Sequence, residues 1–124
     1  MKTATIKITQ RMLNKSIIDA NKSVVDFVKE YLPVDYEDLE WNRLNGRKPR
    51  VGFESKFTDG SPSEVRFYLR PRGDKLLSIK NITKKAAAGD TVTFSHYTGV
   101  TGTFPYRNCY ILIDVTKGAA ASNG

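Results

Sequence analysis

Three cations fall within the stretch FYLRPRGDKLL at 67–77: Arg70, Arg72 and Lys75, stiffened by Pro71 and turned by Gly73. A strand connection needs only turn chemistry, which Gly73-Asp74 supplies, so the two arginines are surplus to the fold. A guanidinium fork suits phosphate oxygens and the O6/N7 edge of guanine. A second cluster, TQRMLNKS at 9–16, holds Gln10, Arg11, Asn14 and Lys15. A third basic run, RLNGRKPR at 43–50, adds Arg43, Arg47, Lys48 and Arg50. Arg, Lys, Asn and Gln are the side chains that neutralise phosphates and reach base edges in a DNA groove. These clusters therefore point first to nucleic-acid binding.

Other constellations compete with that reading. Asp35, followed by Glu54 and Lys56 in ESK, mimics the spacing of a PD…(D/E)xK nuclease. There the two carboxylates would hold Mg²⁺ and the lysine would polarise the attacking water. The pattern recurs freely by chance, and strand alternation already accounts for ESK. A non-specific single-stranded nucleic-acid-binding barrel would instead stack bases on exposed aromatics such as Phe67 or Tyr68. Arg-Gly-Asp at 72–74 resembles an adhesion tripeptide, which nothing else in the chain supports. His96 is the single histidine, so a histidine metal cluster is excluded, and no Gly-rich phosphate loop follows a strand. Ser95 and His96 are strand neighbours and point to opposite faces, which spoils a nucleophile–base pair. His96 is expected to be a strand residue with an ordinary hydrogen bond, and Trp41 to cap the core. No cofactor and no metal are expected.

The chain has 124 residues and a formal net charge of +7. That length makes one domain with a real core. The charge is segregated. Residues 1–16 hold Lys2, Lys7, Arg11 and Lys15 without an acid, and 65–85 hold seven cations against Asp74, whereas acids gather in DYEDLE at 35–40. A basic face follows from that segregation. The longest apolar run, Tyr110 to Ile113, cannot cross a bilayer. The opening MKTATIKITQ alternates and has no hydrophobic h-region, so a cytoplasmic protein is expected. The single cysteine, Cys109, excludes an internal disulfide and reads as a small buried strand residue.

The elements that must position these clusters follow from periodicity. Ala4, Ile6 and Ile8 alternate with polar residues and predict a strand, and SIID at 16–19 a short second one. NKSVVDFVKEYLP predicts a helix with Val24, Val28, Tyr31 and Leu32 on its core side, capped by Asn21 or Ser23 and stopped by Pro33. RVGFESKFT (50–58) and SEVRFYLR (63–70), joined by turn residues, predict a hairpin. Leu76, Ile79, Ile82 and Ala86 are spaced as in a short helix ending at Gly89. TVTFSHY and NCYILIDVT predict two more strands around a Gly-rich connection. With about seven strands, short helices and no βαβ alternation, the class is mainly β (α+β): an open barrel with helices at its ends. The domain is expected to span 1–117, with 118–124 a flexible tail, linker or tag.

This order of elements, with SIIDANKSVVDFVKEYLP at 16–33, AGDTVTF at 88–94 and FTDGSPSEVRFYLRPR at 57–72, resembles the DNA-binding pseudobarrel. That fold is shared by plant B-three transcription-factor domains and the effector domains of EcoRII-type restriction endonucleases. The likeness runs from about Thr3 to Thr116 by pattern rather than identity. It implies a domain that straddles the major groove with two arms. Gln10, Arg11, Asn14 and Lys15 would form the N-terminal arm, and Arg70, Arg72 and Lys75 the C-terminal one. Lys80, Lys84 and Lys85 would touch phosphate, and Phe94 would face inward. The tryptophan of the plant motif is absent, which favours the restriction-enzyme branch. The implied role is a non-catalytic, sequence-specific recognition module in a bacterial cytoplasm, covalently linked to a nuclease domain, with double-stranded DNA as partner. The acidic DYEDLE segment has no counterpart in the family and is expected on the side away from DNA.

Overall fold

Polar–apolar alternation dominates the fold. The computed structural model describes residues 3–97 and 110–118. Its strands are β1 (Ala4–Lys7), β2 (Ile18–Asp19), β3 (Arg50–Phe57), β4 (Pro62–Leu69), β5 (Lys75–Ile79), β6 (Thr91–Tyr97) and β7 (Tyr110–Thr116). They form one seven-stranded sheet in the order β1-β6-β7-β3-β4-β5-β2. The β3–β7 pair is parallel and the other pairs are antiparallel. β1 and β2 are neighbours in the chain, yet they lie at opposite edges of the sheet. The short Ile8–Ile17 link can join those edges only because the sheet curls. The result is an open half-barrel, mainly β, as the pattern predicts.

The concave interior is filled by the inward halves of each alternation. Ala4, Ile6 and Ile8 are at most 1 % exposed, and Phe67 and Phe94 are 1 % exposed. Helix α2 (Lys22–Tyr31) packs on β1, and its Phe27 ring lies 6.3 Å from Phe94. The Asn21 carboxamide oxygen accepts from the Val24 N–H at 3.0 Å and starts the helix, as expected. Helix α3 (Pro33–Leu44) sends Tyr36 and Leu39 into the same core, Tyr36 against Phe67 at 6.4 Å. Gly89 takes φ +95° and leads into Asp90, which is buried. Its carboxylate accepts from the Ala87 and Gly118 N–H groups and from Lys117 Nζ. The two backbone donors, foremost, hold that carboxyl below the usual aspartate range. This knot ties the start of β6 to the chain leaving β7.

Several expectations change. QRMLNK, for which no element is predicted, is helix α1 (Gln10–Lys15): Thr9 caps it, and Met12 and Leu13 pack against the core. Helix α2 ends before Pro33, as expected, but Pro33 also opens a second helix, α3, in its first turn, where the missing N–H costs nothing. Leu76 to Ile79 is strand β5, and only Ile82–Lys85 is helical (α4). Trp41 does not cap the core. It is 53 % exposed under the Arg47 guanidinium, because two residues past Leu39 is about 200° around the helix. His96 does not show the ordinary hydrogen bond expected of it among the described residues. Its ring stacks on Tyr31 at 4.4 Å, and its buried Nε2 has no partner among the described residues. Cys109, the Gly-rich connection at 98–107 and the tail beyond Gly118 lie outside the described residues.

Candidate nucleic-acid interface

The same alternation that fills the core leaves a second face of β3–β4–β5 turned outward. Along β3 that face carries Arg50, Gly52, Glu54 and Lys56, and along β4 Pro62, Glu64, Arg66 and Tyr68. Register sets Arg50 opposite Tyr68, Gly52 opposite Arg66 and Glu54 opposite Glu64. Gly52 earns its place here, since a Cβ would crowd the Glu64 carboxylate at 3.2–3.3 Å. The like charges of Glu54 and Glu64 are relieved by Arg66, which pairs with Glu64. That pairing raises the Arg66 pKa further above its ordinary value. An open cleft of about 800 Å³ lies here, lined also by Ser16, Lys80 and Asn81.

The two arm clusters bracket this face. β2 follows α1 directly and pairs with β5, Ile18 opposite Leu77 and Asp19 opposite Leu76. The C-terminal end of α1 therefore sits beside the far end of β5, where Ser16 shares the cleft with Ser78 and Lys80. The β4–β5 turn sits at the near end, closed by Arg70 N–H to Asp74 C=O at 2.9 Å, with Gly73 at φ +94°. Five strand residues separate the ends, about 16 Å at ~3.3 Å each. In α1, Arg11 and Lys15 are exposed, while Gln10 donates to Asn14 across one turn at 2.9 Å. In the turn, Arg70 and Arg72 are exposed, Arg72 reaching Asp74 at 3.5 Å, and Lys75 is half-buried with its ammonium on the Gly73 carbonyl.

The remaining candidates divide. Lys80 and Lys84 are exposed. Lys85 is half-buried, bonded to Asp59 at 2.7 Å and held 5.5 Å from the Phe57 ring. The Lys85 ammonium and the Ser61 hydroxyl and N–H keep the Asp59 carboxyl well below the usual range. Asp35, Glu54 and Lys56 do not form one site: Asp35 opens α3 on the core side of the sheet, whereas Glu54 and Lys56 occupy outward positions of β3. Among the described residues, no three His, Cys, Asp or Glu side chains gather as a metal site. The acidic segment is not remote from the basic turn. Arg43, near the end of α3, holds Glu40 at 2.9 Å and donates to the Pro71 carbonyl at 3.4 Å.

Sequence reasoning passed over Arg66 and counted Lys48 and Arg50 only in the third basic run, in neither arm. The signal was available, because counting every second residue back from Lys56 puts Arg50 on the outward face. Phe67, a stacking candidate, is buried, and Tyr68 alone of that pair faces outward. No helix among the described residues is long and apolar enough to cross a membrane. Comparison with protein-family models and with curated proteins returns no match to this chain.

Proposed function

We propose that the chain is a sequence-specific double-stranded DNA-binding domain that sets two basic arms into the major groove. On this reading it is the recognition module of a bacterial restriction endonuclease, working in the cytoplasm. It is non-catalytic itself and is joined to a nuclease domain. One observation carries the reading: clusters far apart in the chain, at 10–15 and 70–75, are brought to the two ends of β5 by the β2–β5 pairing. Between them the curled sheet presents Arg50 and Arg66 outward, with Lys80 exposed just past the end of β5, which suits a polyanion laid along the face. Glu54 in the middle of the face can accept from a cytosine amino group, so the acid there supports choice among bases as well as costing affinity.

The test is a selection from a random-core duplex library at about 150 mM salt, where purely electrostatic binding is weak. Recovered mixtures are then incubated with Mg²⁺ and examined for strand breaks. An enriched short motif on intact DNA is the expected result. No enrichment would sink the specific reader, and cutting would overturn the non-catalytic part of the reading.

A further inference from the structure

Beside the cleft, a second recess of about 440 Å³ opens on the outer face next to the β4–β5 turn. Leu76 forms its floor: register sets it opposite Tyr68, on the outward side of β5, yet it is only 7 % exposed. Ile17, Pro49 and Pro71 supply apolar wall, and half-buried Tyr68 supplies an aromatic ring whose hydroxyl lies 3.4 Å from Ser78 Oγ. Lys48, Arg50 and Arg70 also line the recess, and among the described residues no acidic side chain does. The adjoining cleft differs, since Glu54 and Glu64 line it.

The contrast specifies an occupant. An apolar floor with an aromatic contact rewards burial of a flat ring, while three cations without an acid reward an anion attached to it. A paired base inside a duplex cannot bring its ring into a recess of this size. We propose that the recess takes a single unpaired nucleobase swung out of bound DNA, in contact with Tyr68 and Leu76, its phosphate held by Arg50 and Arg70. The inference rests on the duplex-binding reading above and adds to it a step of base extrusion.

The experiment measures binding by fluorescence anisotropy at about 50 mM salt, where sequence-independent affinity is retained. Two probes of one mixed sequence are compared: a fully paired duplex, and the same duplex with one abasic site, which leaves the opposite base without a partner. The orphaned base meets no unpairing cost, so the abasic duplex binds about tenfold more tightly. Tyr68→Ala and Ile17→Asp each bring the ratio of abasic to paired affinity to about one, whatever they do to the paired duplex itself, with both variants folded by circular dichroism. Equal affinity of the wild-type chain for both probes overturns the proposal, as does a gain that survives both substitutions. If neither duplex binds, the duplex reading itself fails. Titration of deoxynucleoside monophosphates against the Tyr68 and Leu76 NMR resonances then decides the recess alone: perturbation keeps a nucleotide site, and silence removes it.

Discussion

β3, β4 and β5 present two faces built from alternate residues of the same strands, and the faces have almost nothing in common. Phe53, Val65, Phe67, Leu69, Leu77 and Ile79 line the interior at 7 % exposure or less. Arg50, Glu54, Arg66, Tyr68 and Ser78 stand on the other side. A period of two thus separates cohesion from charge at single-residue resolution. Phe67 and Tyr68, or Leu69 and Arg70, are chain neighbours with unrelated tasks. Leu76 is the exception, an apolar residue at an outward position, and it marks the recess.

The sharpest break in that comparison is at 67 and 68. Phe67→Ala removes a ring packed on Tyr36 and should cost about 3–5 kcal/mol in urea unfolding, whereas Tyr68→Ala should stay under about 1.5 kcal/mol. Equal losses would mean that the outer face is covered and cohesive. Next, Arg70→Ala and Arg72→Ala should leave the melting temperature unchanged and weaken duplex binding roughly three- to tenfold. A salt-dependence slope lower by about one identifies a phosphate contact, and a lost base preference identifies a reading contact. A smaller effect comes from His96 on the core side. Burial lowers its pKa, so the folded chain disfavours the imidazolium. Its contribution is complete above the unfolded value near ~6.5 and is lost as the pH falls from there towards the folded value. His96→Phe should flatten the stability profile between about pH 7 and 5. Smallest of all, Glu64→Gln frees Arg66, should leave stability unmoved because the pair is exposed, and should tighten duplex binding slightly.

The parts legible from sequence are those with one wet and one dry side. β1, α2, the β3–β4 hairpin and β6 follow their periodicity, and Phe94 faces inward as the resemblance implied. β5 was unreadable because Leu76 and Leu77 are both buried, one on each side, which erases alternation and mimics helical spacing. α3 hid behind its acids and behind Pro33, a residue that starts a helix as readily as it stops one. The arm residues could be chosen from charge, but their convergence on β5 depends on a two-residue strand, β2, too short to announce its partner. Asp90 gave no hint of its three donors, since two of them lie 27 and 28 positions away.

β7 lies between β6 and β3 in the sheet, so it alone joins β1–β6 to β3–β4–β5–β2. It is also the last strand among the described residues, and its parallel contact brings Ile111 beside Ser55. During synthesis the helices and the β3–β5 meander can form early from local contacts, but the barrel wall stays in two pieces until β7 leaves the ribosome. Until then β3 offers an unpaired edge to solvent and to other nascent chains. Lys56, exposed on β3 beside the outward Glu54, puts charge next to that edge, a feature that disfavours pairing with other chains.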